Sequence, residues 1–162
     1  MREEWKKLPV FKKATEIQEL VQHIVKVVES SNTEFEDKIE KDIIKSHLFY
    51  LLRNSLIIPA KIAGVSNSDM PYDIKMENAT LIRKAAKEFI MDARGLQIHG
   101  CNDIEYLNLI RNEVDEFRVL FAEWVKTFDC WNYTIDRWGL FNPPGINYED
   151  KDPDQDIPFD TE

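Results

Sequence analysis

The sequence predicts an all-α protein: an antiparallel, up-down-up-down four-helix bundle with a C-terminal aromatic and acidic extension. Three observations carry this. Four segments repeat apolar residues at alternating steps of three and four, the spacing of a packed helix face. Short polar or glycine-containing stretches separate them, and short connections favour antiparallel neighbours. No segment alternates apolar and polar residues for long, as a half-buried strand would.

The first helix is read from Val10, Ala14, Ile17, Val21, Ile24 and Val28, and Ser30, Ser31, Asn32 and Thr33 follow it. The second is read from Ile44, Leu48, Leu51, Ser55, Ile58 and Ile62; Gly64, the polar run Ser66-Asn67-Ser68-Asp69 and Pro71 close it. The third is read from Ala79, Ile82, Ala86, Phe89, Ala93 and Leu96, with Gly100 at its end. The fourth is read from Leu107, Ile110, Val114, Phe117, Phe121, Trp124 and Phe128. Asn102 is placed to cap it, with Glu105 three residues on as in a capping box. The bundle is therefore assigned residues 1–129. Residues 130–162 form an irregular extension, first aromatic, then rich in proline and glycine, then acidic. Trp131, Trp138, Leu140 and Phe141 are too apolar for a free tail and are expected against the bundle or a neighbouring subunit. The last residues are expected to be a mobile acidic tail.

The chain has 162 residues, enough for one domain with a sizeable core, and a formal charge of −9. The charge is uneven: residues 145–162 hold seven acids and one base, a net −6, which leaves −3 for the rest. This is not the balance of a generally basic nucleic-acid binder, although a local basic patch is compatible with it. No apolar run approaches the ~20 residues that span a bilayer. The opening MREEWKKLPVF lacks the apolar stretch of a secretory signal. Two cysteines, Cys101 and Cys130, make no disulfide framework. A cytoplasmic protein without membrane contact is the expectation.

The motifs of the common chemistries are missing. There is no Glu-x-x-His pair for a di-iron bundle, no Walker loop, no G-x-G-x-x-G and no nucleophile elbow. His99 stands two residues from Cys101 in "IHGC", which suits a thiol nucleophile or half a metal site only as a minor alternative to a turn residue and a half-buried thiol. His23 and His47 are read as surface or satisfied core residues. The expectation is no enzyme, no catalytic or metal-binding residue and no cofactor. Basic residues recur at the start and along two helices; Lys6, Lys7, Lys12, Lys13, Arg53 and Lys61 are the candidates for a phosphate-contacting surface, against the plainer reading of solvated helix faces.

One feature of the second helix is unusual. Pro59 interrupts "LLRNSLIIPAKIAG", although a proline in a helix interior removes a backbone hydrogen bond at a cost of roughly 3 kcal/mol. It is expected to kink or loosen the helix and to free the Ser55 carbonyl, with the Ser55 hydroxyl or a water taking up the loss. Ser55, Ala60 and Ala63 would let another helix approach closely. The pattern Leu51, Arg53, Ser55, Ile58-Pro59, Ile62-Ala63 resembles the most distinctive stretch of the four-helix-bundle family named after 23S rRNA intervening sequences. That family includes the accessory variability determinant of diversity-generating retroelements. Val10, Lys13 and Ala14 match the family's opening pattern, with Phe11 in place of a tryptophan. Lys61, Gly64 and Val65 depart from its usual Asn, Glu and Gly. The resemblance implies a non-enzymatic protein that forms a ring-like homopentamer; in the retroelement members it implies a reverse transcriptase and nucleic acid as partners.

Two functional expectations follow. The first is an oligomeric scaffold or accessory protein that serves a nucleic-acid process such as reverse transcription. The alternative is a protein–protein adaptor without nucleic-acid contact that recruits partners through its acidic tail. In that tail Asp156-Ile157-Pro158-Phe159 resembles the tip of bacterial single-stranded-DNA-binding proteins, although Asp160, Thr161 and Glu162 follow here. The oligomer contact is placed on the second helix, where Phe49, Leu52, Leu56 and Ile57 are apolar yet lie outside the core seam.

Overall fold

The computed structural model describes residues 3–30, 37–100 and 104–153. After a 3₁₀ turn at Glu4–Lys7 come four helices: α1 (Pro9–Ser30), α2 (Lys38–Ser66), α3 (Tyr72–Ile98) and α4 (Ile104–Val125). Each packs on its neighbours in the cyclic order α1, α2, α3, α4, and among the described residues the backbones do not come close across either diagonal. Trp5 and Leu8 at the start of α1 share a depression with Val65 near the end of α2 and with Trp124 near the end of α4. At the opposite end, His23 of α1 meets Tyr106 of α4. The helices therefore alternate up and down.

Apolar periodicity builds this core as the spacing predicts. Val10, Ile17, Val21 and Ile24 of α1 are buried against Leu51, Ile58 and Ile62 of α2, Ile82, Phe89 and Leu96 of α3, and Leu107, Ile110 and Phe117 of α4. Val28 and Phe121 are half-buried at the margin. Two of the helix ends are closed by local chemistry. Asp37 Oδ1 accepts from the Ile39 amide at 3.0 Å, which satisfies an orphan donor at the start of α2. Gly100, at φ +89°, follows the close of α3. Gly64 does not close α2, which runs to Ser66. The cap expected from Asn102 lies outside the described residues, as do Cys101 and most of the first connection.

α2 runs unbroken through Pro59, whose ring is buried. The Ser55 hydroxyl donates to the Leu52 carbonyl at 2.6 Å and does not offset the proline by bonding the Ser55 carbonyl. A hydroxyl on a helix reaches back to the preceding turn, not forward to its own carbonyl. The small Ser55 side chain sits where Ala14 and Ile17 of α1 and Phe89 of α3 converge, so its close neighbours belong to the same chain.

α2 is also long and apolar enough, by length and composition alone, to cross a membrane, and nearly half of that window is buried inside the bundle. The helix is apolar on its core side and on much of its outer side, and the two faces together supply the hydrophobicity that no single run has.

Candidate assembly surfaces

A ladder of polar pairs along the α2/α3 seam sets how α2 is rotated. Glu40, His47, Asn54 and Lys61 recur every seventh residue, and each meets α3. His99 Nδ1 is 3.8 Å from Glu40 Oε1. His47 Nδ1 is 2.9 Å from Asp92 Oδ1. Asn54 Nδ2 donates to Glu88 Oε2 at 2.9 Å, and Lys61 Nζ donates to Asn78 Oδ1 at 3.3 Å. Asn54 and Asp92 are buried, so these bonds are needed to offset desolvation. Burial raises the Asp92 carboxyl above its ordinary range, and the His47 hydrogen bond works against that shift. The Nε2 edge of His47 lies over Gly95, where a Cβ would come within 2.3 Å of it. His47 is thus held between a carboxylate and a helix backbone. His23 is similarly paired, with its Nε2 3.2 Å from the Tyr106 hydroxyl.

With that seam and the core turned inward, the outer stripe of α2 is left in solvent. Phe49 is 61% and Leu56 51% exposed, and Leu52 and Ile57 flank them half-buried. Towards the C-terminus the stripe narrows to Ala60, Ala63 and Gly64. A Cβ built on Gly64 would meet nothing within 4 Å. No contact among the described residues requires glycine there, although glycine costs a helix about 1 kcal/mol relative to alanine.

The described part of the extension, residues 130–153, does not cover this stripe. It folds over the other end of the α2–α3 connection, where the Asn132 carbonyl accepts from the Tyr72 amide at 2.7 Å and so caps α3. Asn132 Nδ2 reaches Asp69 Oδ1 at 3.2 Å, and Thr134 Oγ1 reaches Asp73 Oδ1 at 3.2 Å. Ile135 and Pro143 are buried. Of the two places expected for them, Trp131, Trp138 and Leu140 do not take the bundle of their own chain: they are 89%, 92% and 75% exposed. Only Phe141 is half-buried. The reason is the turn that carries them. Asp136 Oδ1 accepts from the Trp138 amide at 3.0 Å, and its Oδ2 accepts from Leu140 and Phe141 at 2.9 and 2.8 Å. These amides, that of Phe141 foremost, hold the Asp136 carboxyl below its ordinary range. With its amides directed at one carboxylate, the turn leaves the Trp138 and Leu140 side chains in solvent. Arg137 then ties the turn to the Tyr148 and Asp150 carbonyls at 2.9 and 2.7 Å.

A second concave surface lies between α3 and α4. Its floor is Ile90, Val114, Phe117, Phe121 and Val125, its rim carries Arg83, Lys87, Arg118 and Asp115, and it encloses about 650 Å³. Sequence reasoning missed this groove because three of the five floor residues, Val114, Phe117 and Phe121, belong to the core seam itself.

The six candidate phosphate contacts do not share a face. Lys13 turns toward α4 and is held by Glu16, Glu113 and Glu116 at 2.9, 2.9 and 2.6 Å, which raises its ammonium above its ordinary range. Lys61 lies on the opposite α2/α3 side. Lys6 pairs with Glu3, and Lys7 with Glu4 at 3.6 Å. Lys12 and Arg53 are exposed. Asp156, Ile157, Pro158 and Phe159 lie outside the described residues. Among the described residues no group of three or more His, Cys, Asp and Glu side chains is placed to hold a metal ion. No protein-family model, curated protein or solved structure matches the chain.

Proposed function

We propose that this protein is a non-enzymatic assembly module, a protein–protein adaptor that works as a homo-oligomer joined through the outer face of α2. One observation carries the reading: Phe49 and Leu56 stand exposed on a stripe that continues into Ala60, Ala63 and Gly64, and the described part of the chain's own extension folds elsewhere. Large apolar side chains at one end of a stripe and small residues at the other allow a second helix to pack closely along it. Burying each large side chain contributes about 1.5–3 kcal/mol. The dispersal of the candidate cations favours the adaptor over a phosphate-binding surface, because salt-dependent phosphate binding needs cations that act together. A ring of five is the stoichiometry that the family resemblance implies.

Light scattering coupled to gel filtration tests the reading. A dilute sample is expected at a multiple of the 19.1 kDa chain, five-fold for the ring. Leu56→Glu is expected to lower that mass while helical circular dichroism is retained. A wild-type mass equal to one chain overturns the proposal.

A further inference from the structure

The extension and the α3/α4 groove have complementary properties. The 136–142 turn is tightly held: besides the three amides on its carboxylate, Asp136 exchanges two bonds with Asn142, accepted by Asn142 Oδ1 at 2.8 Å and donated by Asn142 Nδ2 at 3.0 Å. Gly139, at φ +74°, supplies the left-handed residue that the turn needs. Such a turn has little freedom left to lose on binding, the condition under which an exposed aromatic makes an effective anchor. Trp138 and Leu140, at 92% and 75% exposure, occupy no part of their own chain's groove. The groove has an apolar floor with room for an indole and a branched side chain, and its three rim cations are of the kind that sit over indole faces. Charge agrees with shape. The turn itself is neutral, Asp136 against Arg137, and residues 143–153 that follow it hold Glu149, Asp150 and Asp152 against Lys151, a net −2, whereas the rim of the groove is a net +2.

We infer that the 136–142 turn is a plug that seats Trp138 and Leu140 in the α3/α4 groove of a second copy of this chain. Plug and groove are different surfaces, so the contact is head-to-tail, and an open chain of copies keeps one free plug at one end and one free groove at the other until a ring closes. It is separate from the α2 contact, and its test uses the Leu56→Glu chain so that the two readings fail independently. Trp138→Ala removes the plug. Ala122→Trp, at an exposed wall residue, fills the groove. The Leu56→Glu chain is expected to self-associate with rising concentration, and each added substitution is expected to return it to 19.1 kDa. An equal mixture of the two variants is expected at twice that mass, because one member supplies a plug and the other a groove. A Leu56→Glu chain monomeric at every attainable concentration, an unchanged mass after Trp138→Ala, or a mixture that stays monomeric overturns the inference. A benzophenone amino acid at position 122 of the full chain is expected to cross-link to the peptide that contains Trp138. Cross-linking to residues 154–162 instead would assign the groove to the acidic tail and also overturn it.

Discussion

His47 packs directly on Gly95. The imidazole occupies the space where any side chain at position 95 would begin, with Cε1 and Nε2 both 2.3 Å from a built Cβ. Gly95→Ala is expected to destabilise the fold by about 1–3 kcal/mol through overpacking, measured by urea unfolding. His47→Ala in the same chain is expected to recover part of that loss. Asp92 and Asp136 have opposite pH signatures. Asp92 is shifted upward from the ordinary 3.8, mainly by burial. Its contribution to stability is thus fully present below 3.8 and is lost as pH rises through the higher folded value. Asp92→Asn is expected to abolish that loss. Asp136 is shifted downward from 3.8 by backbone amides. Its contribution is present above 3.8 and is lost as pH falls through the lower folded value. Unfolding followed across the acid range in Asp92→Asn and Asp136→Asn chains separates the two; equal pH profiles would contradict these assignments.

At the scale of the helix, α2 has three jobs on one cylinder. Its core seam repeats Ile44, Leu48, Leu51, Ile58 and Ile62. Its polar row repeats Glu40, His47, Asn54 and Lys61 toward α3, with the heptad step of the charged flanks of a coiled coil. A rotation of α2 would strand Asn54 and Asp92 without partners, which makes the row a register device. Its outer stripe is the remainder. Gly64→Ala tests this division. Helix propensity predicts a gain of up to ~1 kcal/mol in the Leu56→Glu chain, where no neighbour packs on the stripe. In the wild-type chain the added methyl is expected to lower the oligomer mass at high dilution. Unchanged association with raised stability would show that no helix approaches Gly64.

For the whole molecule, the distribution of charge bears on whether the partner is nucleic acid or protein. Lys13 is enclosed by three carboxylates on the α1/α4 side, and Lys61 is engaged by Asn78 on the α2/α3 side. Neighbouring phosphates on one strand cannot reach both. Filter retention of single- and double-stranded DNA and RNA at low salt is expected to be absent for the full-length chain. Retention that falls steeply with added salt would instead restore the phosphate-binding reading.

The seams were legible because burial follows helical period directly: a residue such as Ile110 or Phe89 has nowhere else to go once its helix forms. The surplus of apolar residues on α2, at Phe49 and Leu56, was legible for the same reason. The heptad row was present in the sequence as polar residues seven apart, but polar residues beside a seam are ambiguous until their partners are known. Those partners, Asp92 and Glu88, come from another helix at a register that no local rule encodes. The direction of Trp138 was not legible at all. Composition argues that a tryptophan should be buried, and only the fold shows one carboxylate gathering three amides and turning the side chain outward. What the sequence by itself determined is therefore the set of helices and their inward faces, which depend on near neighbours along the chain. What only the tertiary structure decided is the polar row, the α3/α4 groove and the exposed turn, because each joins residues far apart in sequence or depends on backbone directions that a residue's type does not specify.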